Sequence, residues 1–403
     1  MKKYICLGLF IAVLSGTSIS ENLADVYKSG KVRLVPVMEF GSGNNWNEIF
    51  PPPGDPNVNP YRNLAVAPDG SLFVAVYTFL KDPDKALKCI YKFGADGRFL
   101  QKFGEKGRRT KEAKSIYGRP EFPSVLDGKY LVVGEYDRIR LYDLKGKEVK
   151  SMKMSRPVYG CEALKDGQIA LVLAVFLLEG SMKQLIVLKN VETEKEIAIA
   201  DSISNEAKSR ISFKDKNERM ISFSHPFSGT WGFVRRTPEG SLVTGFWRRP
   251  SLSFFSRAGE EQKEIPLNIK PFAIDEKIKS EFYESAGKAL KKFDLPPASL
   301  KEMERSKSFF PEYMPFYYNV LVDSEGNILV FQYPAEGIVS IFRVYSPRGD
   351  FICESQFDMG EYEISFKPNA KRAVFHDGHL YALAEKKDGS EVRLMKFKLE
   401  AGK

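Results

Sequence analysis

Few residues of this chain combine the types and spacing that chemistry needs. Asp323-Ser324-Glu325-Gly326-Asn327 gathers two carboxylates and an amide around a glycine. That composition suits calcium, which takes about 6–8 hard oxygen ligands. A tight turn wants the same residues for another reason, because Asp and Asn bond their own backbone and Gly accepts positive φ. The histidines are His225, His376 and His379. His376-Asp377-Gly378-His379 straddles a hairpin turn, so surface positions are expected there rather than a zinc site. Neither HExxH nor GxSxG occurs, which leaves no metalloprotease helix and no nucleophile elbow. Cys89, Cys161 and Cys353 are far apart and form no CxxC pair. They read as small apolar core residues, with a single disulfide as the alternative.

The elements that must position these groups are repeats. Asp69-Gly70, Asp127-Gly128, Asp166-Gly167, Glu239-Gly240, Glu325-Gly326 and Asp377-Gly378 each precede a run rich in β-forming residues, such as "SLFVAV", "KYLVVGEY" and "NILVFQY". Each pair reads as a hairpin turn. A second turn follows in most units, as in "YKFGADGRFLQKFG" and "RLYDLKGKEVKSM". Strand, turn, strand, loop, strand, turn, strand is the unit of a β-propeller. The last unit stops after "EVRLMKFKL" and lacks a fourth strand, while "KVRLVPVMEFG" at Lys31–Gly41 is a strand without a unit. Adding that strand to the last unit closes the ring and removes exposed edges. The sequence therefore predicts an all-β fold: a six-bladed β-propeller closed by an N-terminal strand, over residues 31–403.

"NLAVAPDGSLFVA" in the first unit and "YDRIRLYDLKGK" in the second resemble NHL-type repeats. That family's pattern is apolar-x-apolar-x-x-Asp-Gly-x-apolar-apolar-Val, followed by Asn/Asp-x-Arg-Ile-x-apolar-aromatic. Asp137-Arg138-Ile139 is close to the second half, and units three to six match only the apolar and turn pattern. The resemblance implies a six-bladed ring with an axial channel, and exported bacterial propellers are the nearest comparison.

In such a ring, ligands meet the inner strands at a channel mouth. The residues just ahead of those strands are the ligand-binding candidates: Arg62, Asn63, Arg119, Tyr159, Trp231, Asn319 and Arg372. Arg and Asn supply directional donors, and Tyr and Trp supply flat contact area. They suit a protein or a small anionic or carbohydrate-like ligand, bound without catalysis. They equally suit residues that close the channel by bonding one another. The alternative is a calcium-assisted hydrolase. Related six-bladed lactonases hold calcium in the channel, and Asn63, Asn319, Glu121 and Glu162 would be the ligands here. No cofactor is expected in the preferred reading, and calcium in the alternative.

One segment breaks the β pattern. In "IDEKIKSEFYESAGKALKKF", apolar residues at 274, 278, 282, 286, 290 and 293 share one helical face. Asp275 suits the N-cap and Lys291-Lys292 the C-terminal dipole. Ser299-x-x-Glu302 has the form of a capping box for a second short helix. The expected insertion spans residues 272–314. "FFPEYMPFYYN" after it either lines a channel mouth or packs as a loop. Trp247-Arg248-Arg249 reads either as an exposed partner hot spot or as Arg stacked on Trp between blades.

The chain begins with Lys2-Lys3, an apolar run from Tyr4 to Leu14 and Ser18-Ile19-Ser20. This is the layout of a secretory signal over residues 1–20, too short for a comfortable membrane span. A periplasmic or secreted protein with no lasting membrane span is expected. The net charge of +9 is spread along the chain rather than gathered in a stripe, so nucleic acid is not an expected partner.

Overall fold

The computed structural model describes residues 22–42, 59–79, 88–104, 121–177, 182–204, 210–214, 220–224, 231–292, 310–332, 341–364 and 371–402. Helix α1 (Leu23–Lys28) opens the fold, its Asn22 side chain accepting from Ala24 N as N-cap, and β1 (Val32–Glu39) follows. Four antiparallel meanders come next. The first is β2 (Asn59–Val66), β3 (Leu72–Phe79), β4 (Lys88–Phe93) and β5 (Phe99–Phe103); the second is β6 (Phe122–Leu126), β7 (Tyr130–Glu135), β8 (Arg138–Asp143) and β9 (Glu148–Lys153). The third is β10 (Val158–Ala163), β11 (Gln168–Phe176), β12 (Met182–Asn190) and β13 (Glu196–Ser204). A two-stranded hairpin, β14 (Arg210–Lys214) and β15 (Met220–Ser224), separates it from β16 (Gly232–Arg236), β17 (Leu242–Phe246), β18 (Ser251–Phe255) and β19 (Glu261–Pro266).

Helix α2 (Glu276–Lys292) is the insertion. Asp275 caps it by accepting from Ile278 N at 2.9 Å, as its sequence implies. The proposed second helix at Ser299 lies outside the described residues. Two of the aromatics in "FFPEYMPFYYN" pack against other rings or into the core: Tyr317 is fully buried in an apolar cluster, and Phe310 meets the rings of Phe282 and Tyr283 edge-on, while Tyr313 is exposed. The packed-loop alternative describes Tyr317 and Phe310. Trp247 is likewise core, while Arg249 stacks over Phe246 instead.

The remaining strands are β20 (Asn319–Val322), β21 (Ile328–Phe331), β22 (Ile341–Tyr345), β23 (Phe351–Asp358), β24 (Tyr362–Glu363), β25 (Ala373–His376), β26 (His379–Lys386) and β27 (Val392–Ala401). The repeats predict six separate sheets, and here the structure differs. The fifth and last units join in one nine-stranded sheet. Strand β1 pairs antiparallel with β27, from Val32↔Ala401 to Glu39↔Met395, which is the expected closing strand. The same β1 also meets β23 in parallel through Val32↔Phe357 and Arg33↔Asp358. That contact gives an otherwise open edge main-chain partners.

The arrangement is propeller-like. Strands β2, β6, β10, β16, β20 and β25 are each neighbours of the next, and β25 of β2. Apolar clusters lie between consecutive units in the same order: Phe73 with Leu131, Met152 with Ile169, Val172 with Leu242, and Phe233 with Val320. Tyr381 and Leu394 meet Leu72 and Phe93, so the last unit packs on the first. Tyr27 of α1 inserts between the β22–β23 and β27 side chains. Helix α1 thus belongs to the core although it precedes residue 31. Cys89 and Cys161 are buried, Cys353 is half-buried, and all three are free thiols. No described helix is long and apolar enough to cross a membrane.

Candidate functional site

Polar side chains of the inner strands bond to one another across the axis. Asn63 on β2 is buried. Its Oδ1 accepts from Lys371 N at 2.6 Å and its Nδ2 donates to Glu121 O. Lys371 reaches Glu162 Oε2 at 2.9 Å, and Ser124 Oγ donates to Glu162 Oε1 at 2.8 Å. Burial pushes the Glu162 carboxyl up, but the charges of Lys371, Arg236 and Arg235 and the Lys371 hydrogen bond outweigh it, leaving its pKa below the usual value. Arg235 donates to Val320 O at 2.8 Å, to Val234 O at 2.9 Å and to Asn319 Oδ1 at 3.1 Å. Desolvation lowers the pKa of its guanidinium, and Glu162 opposes the effect.

The sequence-named residues divide accordingly. Asn63 and Asn319 are buried in these bonds, and Arg372 lies buried 3.8 Å from Glu385 Oε2. Tyr159 and Trp231 are half-buried and face each other with ring centroids 5.1 Å apart. Arg62 sits on β2 opposite Val76, and Arg119 lies outside the described residues. The oxygens named for calcium meet N–H donors instead: Asn63 Oδ1 meets Lys371 N, Asn319 Oδ1 meets Arg235, and Glu162 meets Lys371.

The cleft lies elsewhere. A depression of about 1300 Å³ opens where β16, β20 and β25 end in their turns, and Asn63, Tyr159, Trp231, Asn319 and Arg372 are not in its lining. Its walls come from Arg236–Pro238, Val322–Glu325, Phe375–His379, Lys398–Ala401 and Leu23 of α1. His376 and His379 are register partners across β25 and β26, joined by Asp377 and Gly378 with φ of 48° and 67°. Both central residues are left-handed, as this two-residue turn requires, which explains the glycine. His379 Nδ1 lies 2.6 Å from Asp377 O. Burial lowers the His376 pKa, against the opposing charge of Asp377, so the imidazole is neutral near pH 7.

Two of the carboxylates in the cleft wall are already engaged. Asp323 Oδ1 accepts from Glu325 N and Asn327 N, and Oδ2 accepts from Asn327 Nδ2 and from Tyr27 Oη at 3.0 Å. Desolvation nevertheless raises the Asp323 pKa to about 6, those hydrogen bonds opposing it. Both Glu325 oxygens accept from Leu23 N, at 3.0 and 3.1 Å. The turn of Asp323–Asn327 therefore fastens helix α1. Among the described residues, no group of three or more His, Cys, Asp or Glu is placed to hold a metal ion.

No family model and no curated protein matches this chain. Solved structures do. A member of the DUF4221 family from Bacteroides vulgatus is similar with a TM-score of 0.48 at 11% identity, covering 93% of this chain and 100% of its own. Virginiamycin B lyase from Staphylococcus aureus aligns with a TM-score of 0.37 at 10% identity, over 86% of this chain and 97% of that one. BamB from Moraxella catarrhalis gives 0.34 at 11% identity, over 84% and 85%.

Sequence reasoning read His376 and His379 as surface residues and did not single out Arg236. The signal for the two histidines was present: residues flanking a two-residue hairpin turn are cross-strand partners and share a face. Arg236 gave none, because its exposure depends on how the β16 turn packs against its neighbours.

Proposed function

We propose that this chain is an exported, NHL-like six-bladed β-propeller that binds a small ligand or a protein segment, without catalysis, at one mouth of its axial channel. The domain is residues 31–403 with the insertion at 272–314 and α1 as an added clasp, and residues 1–20 are the export signal. The ligand meets the chain at the turn end of the inner strands. The observation that carries this reading is the cleft of about 1300 Å³ walled by the β16, β20 and β25 turns, the concave and partly apolar setting that ligand sites use. The ring of Asn63, Asn319 and Arg372 then holds the inner strands together. The chain has only three histidines, so its imidazole NMR spectrum is a sparse reporter of the cleft. Fragments of mixed charge screened against it should include ligands that move His376 and His379 together, and Ser324→Trp should abolish their effect. Hits that bind while leaving both resonances unmoved would place the site elsewhere.

A further inference from the structure

Among the described residues, Arg236 forms no ion pair, and its one hydrogen bond is long. Glu162 is one carboxylate within the fields of Lys371, Arg235 and Arg236. Lys371 forms its ion pair directly, and Arg235 is bonded to two carbonyls and an amide oxygen. Arg236 keeps the weakest attachment: it is exposed, and among the described residues its hydrogen bond is a long one, 3.5 Å to Leu164 O. A guanidinium offers five N–H donors in a planar fork, so most of this one is open to the cleft.

Three of the cleft's acids are bonded elsewhere. Asp323 is saturated by four donors, Glu325 is held by Leu23 N, and Glu400 pairs with Lys398 at 3.3 Å. Asp377 remains, on an exposed turn. Arg236 and His376 are near enough for the arginine to act on the imidazole. Phe375 and Leu399 offer apolar surface in the same cleft.

We infer that the cleft takes a ligand carrying a carboxylate or phosphate, gripped in the plane of the Arg236 guanidinium beside His376, with the ligand's apolar body against Phe375 and Leu399. The inference rests on the cleft being the binding site. Planar acceptors suit this residue because Arg bonds them through two parallel N–H groups.

The test titrates the full chain with inorganic phosphate, sodium acetate and neutral methyl glucoside at fixed pH and ionic strength, reading the imidazole resonances. Phosphate or acetate should move His376 and His379 saturably, at a concentration on the order of 1 mM. Arg236→Gln should weaken that response about tenfold or more while Arg236→Lys keeps part of it, as expected when a bidentate contact is lost. An unchanged phosphate response in Arg236→Gln overturns the inference. If methyl glucoside moves both resonances and the anions do not, the anion inference fails and the cleft reading stands. If none of the three moves them, both fall.

Discussion

Arg235 and Arg236 are neighbours on β16, and alternation along a strand sends them to opposite faces. Arg235 turns toward β20, and two acceptors there and Val234 O of its own strand, all within 3.1 Å, fix its fork. Arg236 turns toward the β10 turn and the cleft, held by one contact at 3.5 Å. The same side chain is framework in one place and an open donor in the other. The axial network pairs its buried charges, Lys371 with Glu162 and Arg235 with three oxygens, because buried charge is tolerated only when paired and bonded. In the cleft, Asp323 and Glu325 are engaged by α1 while Arg236 keeps a single long bond.

The largest expected effect tests the framework side. Lys371→Met leaves Glu162 buried without its ion-pair partner, and the loss should be about 3–5 kcal/mol in denaturant unfolding. A loss below about 1 kcal/mol would mean that water reaches Glu162, and the contrast would dissolve.

The pH dependence comes next, and the two buried acids should act in opposite directions. Asp323 is raised from 3.8 to about 6 on folding. Its stabilising contribution is full below the unfolded value and is lost as pH rises toward 6. Glu162 is lowered, so its contribution is full above the ordinary carboxylate range and is lost as pH falls through it. Asp323→Asn should flatten the stability curve between pH 3.8 and 6, and Glu162→Gln should flatten the more acidic limb. An unchanged curve for Asp323→Asn would contradict the environment assigned to that turn.

A smaller effect concerns the clasp. Tyr27→Phe removes one of four donors to Asp323 and should cost about 1 kcal/mol. Because α1 walls the cleft through Leu23, the change should also raise hydrogen exchange at Val26 and Tyr27. Smallest of all, Arg236→Gln should shift stability by no more than about 0.5 kcal/mol.

Much of the fold was readable because turn chemistry is local. The glycines of all six acid-Gly pairs have positive φ, from 64° to 92°, and the residues that force such turns also announce them. The closing strand could be inferred because a missing strand and an unassigned one are both visible in sequence. The merged sheet was not, since the two-residue match of β1 with β23 depends on where two chain ends come to rest. The candidates named from sequence precede the inner strands, whereas the cleft is walled by the turns that follow them, and where a cleft forms is decided by packing rather than by strand order. Lys371 reaches Glu162 across 209 positions, and Leu23 meets Glu325 across 302. Neither pairing leaves a local mark. Asp323–Asn327 shows the same limit: its turn was legible, but the helix it fastens was not.

The central claim is that framework and binding surface are separate although they share a strand. The most direct measurement is the denaturation midpoint and the phosphate response of Lys371→Met and Arg236→Gln, taken side by side. The account predicts a lowered midpoint in Lys371→Met alone and a lost imidazole response in Arg236→Gln with its midpoint kept. A midpoint that falls as far in Arg236→Gln as in Lys371→Met would contradict it.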